Sequence, residues 1–410
     1  MPPSCLLALD LGTTTLCGRL LDERGRVLAE HTLFNPQGAF GRDVIRRLEV
    51  AHAGQGEALR LALEEGIQQL VSTLVSMAGM TAESIVRAAA AGNSAICTLL
   101  QQLPVASLLF PPHRPAEKSA QSLLVAPLTV PVFLFPLVSG YVGGDLVAVV
   151  YAHEQPDPGT FFVDVGTNGE MALFNGEQWW SSSVAAGPAF EGGNIASGMP
   201  AGPGAICRVA LDEDRLILTT CDGGRPIGLC GSGLIEAIAA ARRGGLVDWH
   251  GTIADPDGVP SNLVRYLGQS EGQPCLLLYR DARCQVVLTQ EDIRNFQLAK
   301  AAVHAGAECL LARAGVAESS LSKVVITGAL GFSLRCETLA QVGLLPPAML
   351  DKVVFEQGGV LNGLTRYLVG GGDDGGIDAL ARCLRPYPLS GTPHFEQAFV
   401  AAMDFPRELS

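Results

Sequence analysis

Charge is scarce in this chain: only 17% of its 410 residues are Asp, Glu, Lys or Arg, and the 28 basic ones are outnumbered by 41 acidic ones. The net charge is −13, and the only adjacent basic pairs are Arg46-Arg47 and Arg242-Arg243. A nucleic-acid partner is therefore disfavoured. Long apolar runs are also missing, since residues 123–138 are broken by Pro127, Pro131 and Pro136 and read as short strands and turns, not as a membrane span. The first ten residues carry no basic segment and only a short apolar run, so no signal peptide is expected and the cytoplasm is the expected compartment. Eleven cysteines are present without one C-x-x-C, the closest pairs being Cys221/Cys230 and Cys275/Cys284, and seven histidines without one H-x-x-x-H. That spacing gives no support to zinc-ribbon or ferredoxin-type ligation, and most of the thiols read as buried core residues.

Against these absences stand a 48% hydrophobic fraction, enough for a large core over two domains, and 48 glycines, which imply many tight turns or close backbone approaches. In Leu6-Leu7-Ala8-Leu9-Asp10-Leu11-Gly12-Thr13-Thr14-Thr15-Leu16 an apolar strand runs into an aspartate and a Gly/Thr turn. A second strand follows, then a turn at Asp22-Glu23-Arg24-Gly25 and a third strand over 26–33, giving an antiparallel meander. The design repeats 154 residues later in Phe161-Phe162-Val163-Asp164-Val165-Gly166-Thr167-Asn168-Gly169-Glu170, where Asp164, Gly166 and Thr167 align with Asp10, Gly12 and Thr13. Asn175-Gly176 predicts a type I′ hairpin turn in this copy. Two copies of one strand-turn-strand unit predict duplicated lobes, with each turn facing a shared cleft.

Between the copies the pattern predicts a helix over 57–77, a second over 82–100 interrupted by Gly92-Asn93, and a Pro-rich stretch over 104–136. Further on, Thr289 with Asp292 makes a capping-box start to a helix over 290–314. The run Gly370-Gly371-Gly372-Asp373-Asp374-Gly375-Gly376 is expected to be a mobile loop or hinge. The lobes are expected to divide at 1–155 and 156–410, with the C-terminal helices as candidates to return toward the first lobe.

A Gly/Thr turn after a strand presents consecutive backbone N–H groups and hydroxyls, which is a way to hold phosphate oxygens. An aspartate at the strand end can hold Mg²⁺ through water. One D-x-G-T segment is as readily an ordinary turn, whereas two facing one cleft suit a triphosphate cradled from both sides.

The two D-x-G-T segments resemble the phosphate-1 and phosphate-2 motifs of the acetate and sugar kinase, Hsp70 and actin superfamily. The resemblance narrows with Asn35-Pro36-Gln37, Phe40-Gly41-Arg42-Asp43-Val44, Gly140-Tyr141-Val142-Gly143-Gly144-Asp145, Ala186-Gly187-Pro188-Ala189-Phe190-Glu191-Gly192 and Gly228-Leu229-Cys230-Gly231-Ser232-Gly233-Leu234. Together these resemble the ATPase module of the reductive activators of corrinoid proteins, over nearly the whole chain. The resemblance implies an α/β fold: a two-lobed actin-like ATPase with ribonuclease H-like duplicated lobes and a nucleotide cleft between them. It implies ATP-dependent reduction of an inactive Co(II) corrinoid to Co(I) on a partner corrinoid protein, with ATP and Mg²⁺ as cofactors.

Carried onto this sequence, the resemblance makes Asp10 and Asp164 the carboxylates around Mg²⁺, and Asp145 the group that orients the attacking water, or else a plain helix N-terminal acid. Gly12, Thr13, Thr14, Thr15, Gly166, Thr167, Asn168, Gly169 and Glu170 form the phosphate turns. Gly187, Glu191 and Gly192 form a loop that contacts nucleotide or metal, with Glu191 equally readable as a loop cap. Gly231, Ser232 and Gly233 would meet phosphate or ribose, or simply punctuate a strand-to-helix junction. Gly328 and Ala329, in Thr327-Gly328-Ala329-Leu330-Gly331, resemble the adenosine motif. Full-length members of the family carry an N-terminal iron–sulfur ferredoxin-like domain, whereas this sequence opens on the phosphate-1 strand. No iron–sulfur cluster is therefore expected on this chain, and a separate ferredoxin-like electron donor is. Phe355-Glu356-Gln357-Gly358-Gly359 departs from the turn expected before the last helix of the lobe. The context of Cys230 distantly resembles the cluster-ligating region of 2-hydroxyacyl-CoA dehydratase activators, though a buried thiol explains it equally well. A non-redox ATP-binding partner module, a small-molecule kinase and a homodimeric assembly stay open at this level.

Overall fold

The computed structural model describes residues 4–41, 43–154, 156–259, 262–328 and 334–408. Along the chain run β1 (Cys5–Leu11), β2 (Thr15–Asp22), β3 (Val27–Phe34), α1 (Val44–Val50), α2 (Gly56–Ala78), β4 (Ile85–Gly92), α3 (Ser94–Leu100), α4 (Ala106–Leu109), β5 (Gln121–Leu123), β6 (Val132–Leu134) and α5 (Gly144–Tyr151). Then come β7 (Thr160–Val165), β8 (Asn168–Phe174), β9 (Trp179–Ala185), β10 (Ala205–Asp212), β11 (Arg215–Thr220), β12 (Gly228–Leu229), α6 (Gly231–Arg243), β13 (Leu267–Ser270), β14 (Gln273–Arg280), β15 (Gln285–Thr289) and α7 (Gln290–Ala314). The chain closes with β16 (Lys323–Gly328), α8 (Cys336–Val342), β17 (Val353–Phe355), α9 (Gly359–Val369), α10 (Asp374–Cys383), β18 (Leu384–Pro386) and α11 (Pro393–Ala401). Two compact units result, one holding residues 1–157, 176–182 and 358–387, the other 158–175, 183–357 and 388–410.

The first unit is organised by the sheet β3-β2-β1-β4-β6-β5. Alternation along β1 sends Cys5, Leu7, Leu9 and Leu11 to one side, where they share a buried cluster with Leu63, Ile67, Leu70, Val71 and Leu74 of α2. Helix α9 also packs on β1. Both faces of the strand are covered, which is why its sequence is a nearly continuous apolar run. Helix α9 also meets α5, so closely that a Cβ at Gly363 would lie 1.9 Å from the Ala148 carbonyl oxygen.

The predicted helix over 82–100 is not formed. Residues 85–92 are β4, paired in parallel with β1 in a register that sets Leu6 against Arg87 and Leu11 against Gly92, and only 94–100 are helical. Alanine favours helix locally, but this alanine run is sealed between β1 and β6, and sheet packing decides the outcome.

The sheet of the second unit has the order β17-β16-β7-β8-β9, the chain passing between units within β9. In both sheets an antiparallel hairpin comes first, and the strand beside the hairpin's opening strand joins it in parallel. The frames β3-β2-β1-β4-β6 and β9-β8-β7-β16-β17 are thus the same design, as the repeated sequence predicts. The hairpin between β8 and β9 has a four-residue connection with Gly176 at φ 97°, not the two-residue turn that Asn-Gly predicts. Helix α7 begins and ends where its capping signals place it, with both halves of the Thr289/Asp292 box formed. The glycine run over 370–376 is a helix junction: Gly371 and Gly372 take positive φ after α9, and the Asp373 side chain accepts from Gly376 N at 2.9 Å to cap α10.

The C-terminal segment of the second unit is held by three buried side chains. Gln297 donates to the Met403 carbonyl at 2.9 Å, Lys300 to that of Asp404 and Arg242 to that of Pro406. Phe405 lies between them, with Lys300 Nζ 5.2 Å and the Arg242 guanidinium 5.5 Å from its ring centre.

Candidate functional site

Strand β1 delivers Asp10 to its C-terminal end, opposite Cys17 on β2 and Ala91 on β4. Burial first, and the Asp10 carboxylate next, push the Cys17 thiol up to about 12, so this neighbour stays protonated and inert. The turn that follows is tight, since a Cβ on Gly12 would lie 2.6 Å from the Thr15 carbonyl oxygen. Two asparagines hold it. Asn35 donates its side-chain N–H to the Gly12 carbonyl and its backbone N–H to the Thr14 carbonyl, each at 2.9 Å. Asn93, between β4 and α3, donates Nδ2–H to the Thr13 hydroxyl oxygen at 2.9 Å. Asp145 stands in the first turn of α5, where Oδ1 accepts from Leu146 N at 2.9 Å. A Cβ at Gly143 would meet Asn93 Cα at 2.6 Å and Asp145 Oδ1 at 2.5 Å, so the start of α5 is packed directly on the Gly92-Asn93 corner. Asp10, Gly12, Thr13, Thr14, Thr15 and Asp145 therefore gather around that corner.

In the second unit Asp164 ends β7 opposite Glu170 of β8 and Thr327 of β16. Gly166 N donates to the Asn168 carbonyl at 3.0 Å, and Gly187 N to that of Thr167 at 2.9 Å. The buried Thr167 donates its hydroxyl to Glu191 Oε2 at 2.6 Å, and a Cβ on Gly166 would stand 3.1 Å from Glu191 Oε1. Gly328 takes φ 83°, and a Cβ there would lie 2.3 Å from Asp164 Oδ1, so this close approach admits only glycine. Gly187, at φ 78°, has open space where a Cβ would be, while a Cβ on Gly192 would meet Met199 N at 2.6 Å. Gly169 lies against Val184 and Val303. Asp164, Gly166, Thr167, Asn168, Gly169, Glu170, Gly187, Glu191, Gly192 and Gly328 form one group, whereas Ala329 lies outside the described residues.

Packing accounts for two further glycines. A Cβ on Gly231 would be 1.8 Å from the Phe190 carbonyl oxygen, and one on Gly233 1.9 Å from that of Ile206. They let the start of α6 abut the Glu191 loop and β10. The Ser232 side chain is buried and sits 3.3 Å from Cys230 Sγ, facing inward. Cys230 is itself buried, and burial holds its thiol above the usual range. Among the described residues no three or more His, Cys, Asp or Glu side chains are arranged to hold a metal ion by themselves.

Sequence reasoning did not single out Asn35 or Asn93 as site residues. The available signal was local: Asn93 follows a strand and precedes an apolar helical run, and Asn35 precedes a proline, both helix N-cap patterns.

Known proteins resemble this chain in sequence and in fold. The family model described as "RACo middle region" matches residues 5–155, and that described as "C-terminal domain of RACo the ASKHA domain" matches 159–410. The protein named "Corrinoid activation enzyme RamQ", from Eubacterium limosum, is 30% identical, the match covering 96% of this chain and 69% of that protein. The "[Co(II) methylated amine-specific corrinoid protein] reductase" of Methanosarcina barkeri is 25% identical, with 88% of this chain and 69% of that protein covered. A solved structure titled "Reductive activator for corrinoid,iron-sulfur protein" superposes with a TM-score of 0.91 at 31% identity, over 99% of this chain and 66% of that one. The chain thus spans about two thirds of the length of these relatives, and its fold is the actin-like ATPase class. It belongs to the RACo family, comprising that family's middle region and C-terminal ASKHA domain.

Proposed function

We propose that this chain is the ATP-hydrolysing module of a reductive activator that returns a partner's corrinoid from Co(II) to Co(I). The observation that carries the reading is the pair of D-x-G-T turns on two copies of one strand frame, each with a carboxylate at the strand end, in a chain of the RACo family. The donor set suits a nucleotide: the first turn offers a hydroxyl that already accepts from Asn93, and Gly187 leaves room for a ligand to approach the backbone. Asp10 and Asp164 suit Mg²⁺ that keeps its waters and phosphate oxygens as the remaining ligands.

Thr13, Thr14, Thr15, Asn168 and Gly169 hold phosphate oxygens in this reading, Thr167 joins them through its backbone while its hydroxyl is given to Glu191, and Asp145 holds the attacking water by accepting its hydrogen bond. Hydrolysis of bound ATP supplies the free energy for an uphill one-electron transfer. Glu191, tied to Thr167, keeps the second turn shaped. The electron comes in this reading from an iron–sulfur donor outside these residues, since the sequence carries no C-x-x-C. The reading is tested by measuring ATP turnover with a Co(II) corrinoid protein, with sugars and with acyl acceptors. Stimulation by the corrinoid protein together with appearance of Co(I) supports it, and stimulation by a small acceptor that becomes phosphorylated replaces it with a kinase.

A further inference from the structure

The corner between β4 and α3 has a chemical polarity that the proposed function does not use, and this inference rests on that function. Asn93 is buried, and every polar atom of its side chain is committed. Oδ1 accepts from Ala95 N and Ile96 N, both at 3.1 Å, capping α3. Because two backbone N–H groups fix which amide atom is the oxygen, the atom facing Thr13 is Nδ2, which can only donate. The Thr13 hydroxyl oxygen is therefore the acceptor in the 2.9 Å contact, and its own hydrogen must point elsewhere.

We infer that Asn93 is a positioning residue that turns the Thr13 hydroxyl into a fixed hydrogen-bond donor toward the phosphate held by the first turn. Three features carry the inference. The amide's orientation follows from the cap. The Thr13 side chain is almost wholly buried, so it has few other orientations. The backbone at Gly92-Asn93 is pinned, since a Cβ on Gly92 would lie 2.7 Å from the Leu11 carbonyl oxygen and Gly143 packs on Asn93 Cα. A change confined to the Asn93 side chain therefore alters the polarity at Thr13 without moving the corner.

Two substitutions test this. Asn93→Asp keeps an oxygen to cap α3 but places a second acceptor beside Thr13, so the hydroxyl now donates to the introduced carboxylate and no longer to phosphate. Asn93→Ser keeps the cap and removes the contact. Binding of ATP and of adenosine, which lacks phosphate, is measured by titration calorimetry, with melting temperature as a control. Expected are a rise in the ATP dissociation constant of ~10–100-fold for Asn93→Asp and ~3–10-fold for Asn93→Ser, with adenosine affinity and melting temperature unchanged. In a Thr13→Val background Asn93→Ser should add no further loss, because it acts through the missing hydroxyl. Wild-type ATP affinity in both variants, equal losses for ATP and adenosine, or a full Asn93→Ser loss in the Thr13→Val background overturns the inference alone. Failure of the unsubstituted chain to bind ATP overturns the nucleotide site and the inference with it.

Discussion

The two D-x-G-T turns occupy the same place in the same strand frame, yet their hydroxyls are held in opposite senses. In the first, neutral amides from Asn35 and Asn93 donate to the turn, leaving the Thr13 hydrogen available. In the second, Thr167 donates its hydrogen to the Glu191 carboxylate, and Asp164 and Glu170 stand opposite each other one strand pair away. Duplication supplied two equal scaffolds, and the side chains packed on the turns made one a hydrogen-bond donor and the other acid-rich. Even the closing strands differ: β4 delivers Gly92 in an ordinary conformation, β16 delivers Gly328 at φ 83°.

The sharpest break of this comparison is at the carboxylates. Asp164→Asn is expected to lower ATP turnover ~10²–10³-fold with no loss of melting temperature, and wild-type turnover would remove the site. Asp145→Ala should lower the turnover number more than it weakens nucleotide binding, and equal losses in both would assign Asp145 to binding or structure. Next come the glycines. Gly328→Ala meets both forbidden φ and the Asp164 carboxylate, and should cost ~3 kcal/mol in denaturant unfolding, against ~1–2 kcal/mol for Gly92→Ala. The threonines should then separate the two turns by ligand binding. Thr13→Val is expected to weaken ATP binding ~10-fold and to cost ~1–2 kcal/mol of stability by leaving the buried Asn93 amide without its acceptor. Thr167→Val should cost a similar ~1–2 kcal/mol by leaving Glu191 short of a donor, with a smaller loss of ATP affinity because its hydroxyl is already given to Glu191. Equal losses of ATP affinity in the two variants would erase the distinction between the turns.

The smallest effect concerns the second unit alone, through the buried Lys300. Burial lowers its pKa to about 7, with Arg242 acting in the same sense and Asp404 opposing; His304, Glu308 and Arg407 line the adjoining cavity. Above that pH the folded chain has released this proton while the unfolded chain, at the ordinary lysine value, still holds it. Stability from this group therefore rises with pH between about 7 and 10.5, by roughly 1 kcal/mol from pH 7 to 8. Lys300→Met should flatten that slope in melting curves across pH, and an unchanged slope would show that Lys300 keeps its proton.

The sequence made these scaffolds legible wherever the signal was local or repeated. The two hairpins, the long helix opened by the Thr289/Asp292 box and the Asp-x-Gly-Thr spacing all lie within short windows. Strand β4 was hidden, because an alanine run carries helical propensity and only its neighbours β1 and β6 make it a strand. Its partner in the other unit, β16, reads plainly as a strand through Val324, Val325 and Ile326. Asn35 and Asn93 were hidden for another reason: each meets the first turn from a distant place in the sequence, and a polar contact leaves no periodicity. The inward packing of the Ser232 side chain against Cys230 was hidden likewise, because its Gly-Ser-Gly setting does not show which way the hydroxyl turns.

Helix α9, which covers β1, is synthesised long after it, because almost the whole of both units lies between them in the sequence. During translation the alternate face of β1 waits for its cover until about three hundred and fifty further residues have emerged, on the order of tens of seconds at ribosomal speed. A nascent chain halted before residue 358 should therefore display an apolar surface and be a substrate for chaperones, and the first unit cannot be expressed by simply cutting the gene after its opening segment. Completion of this unit is thus late relative to the synthesis of its own first strand.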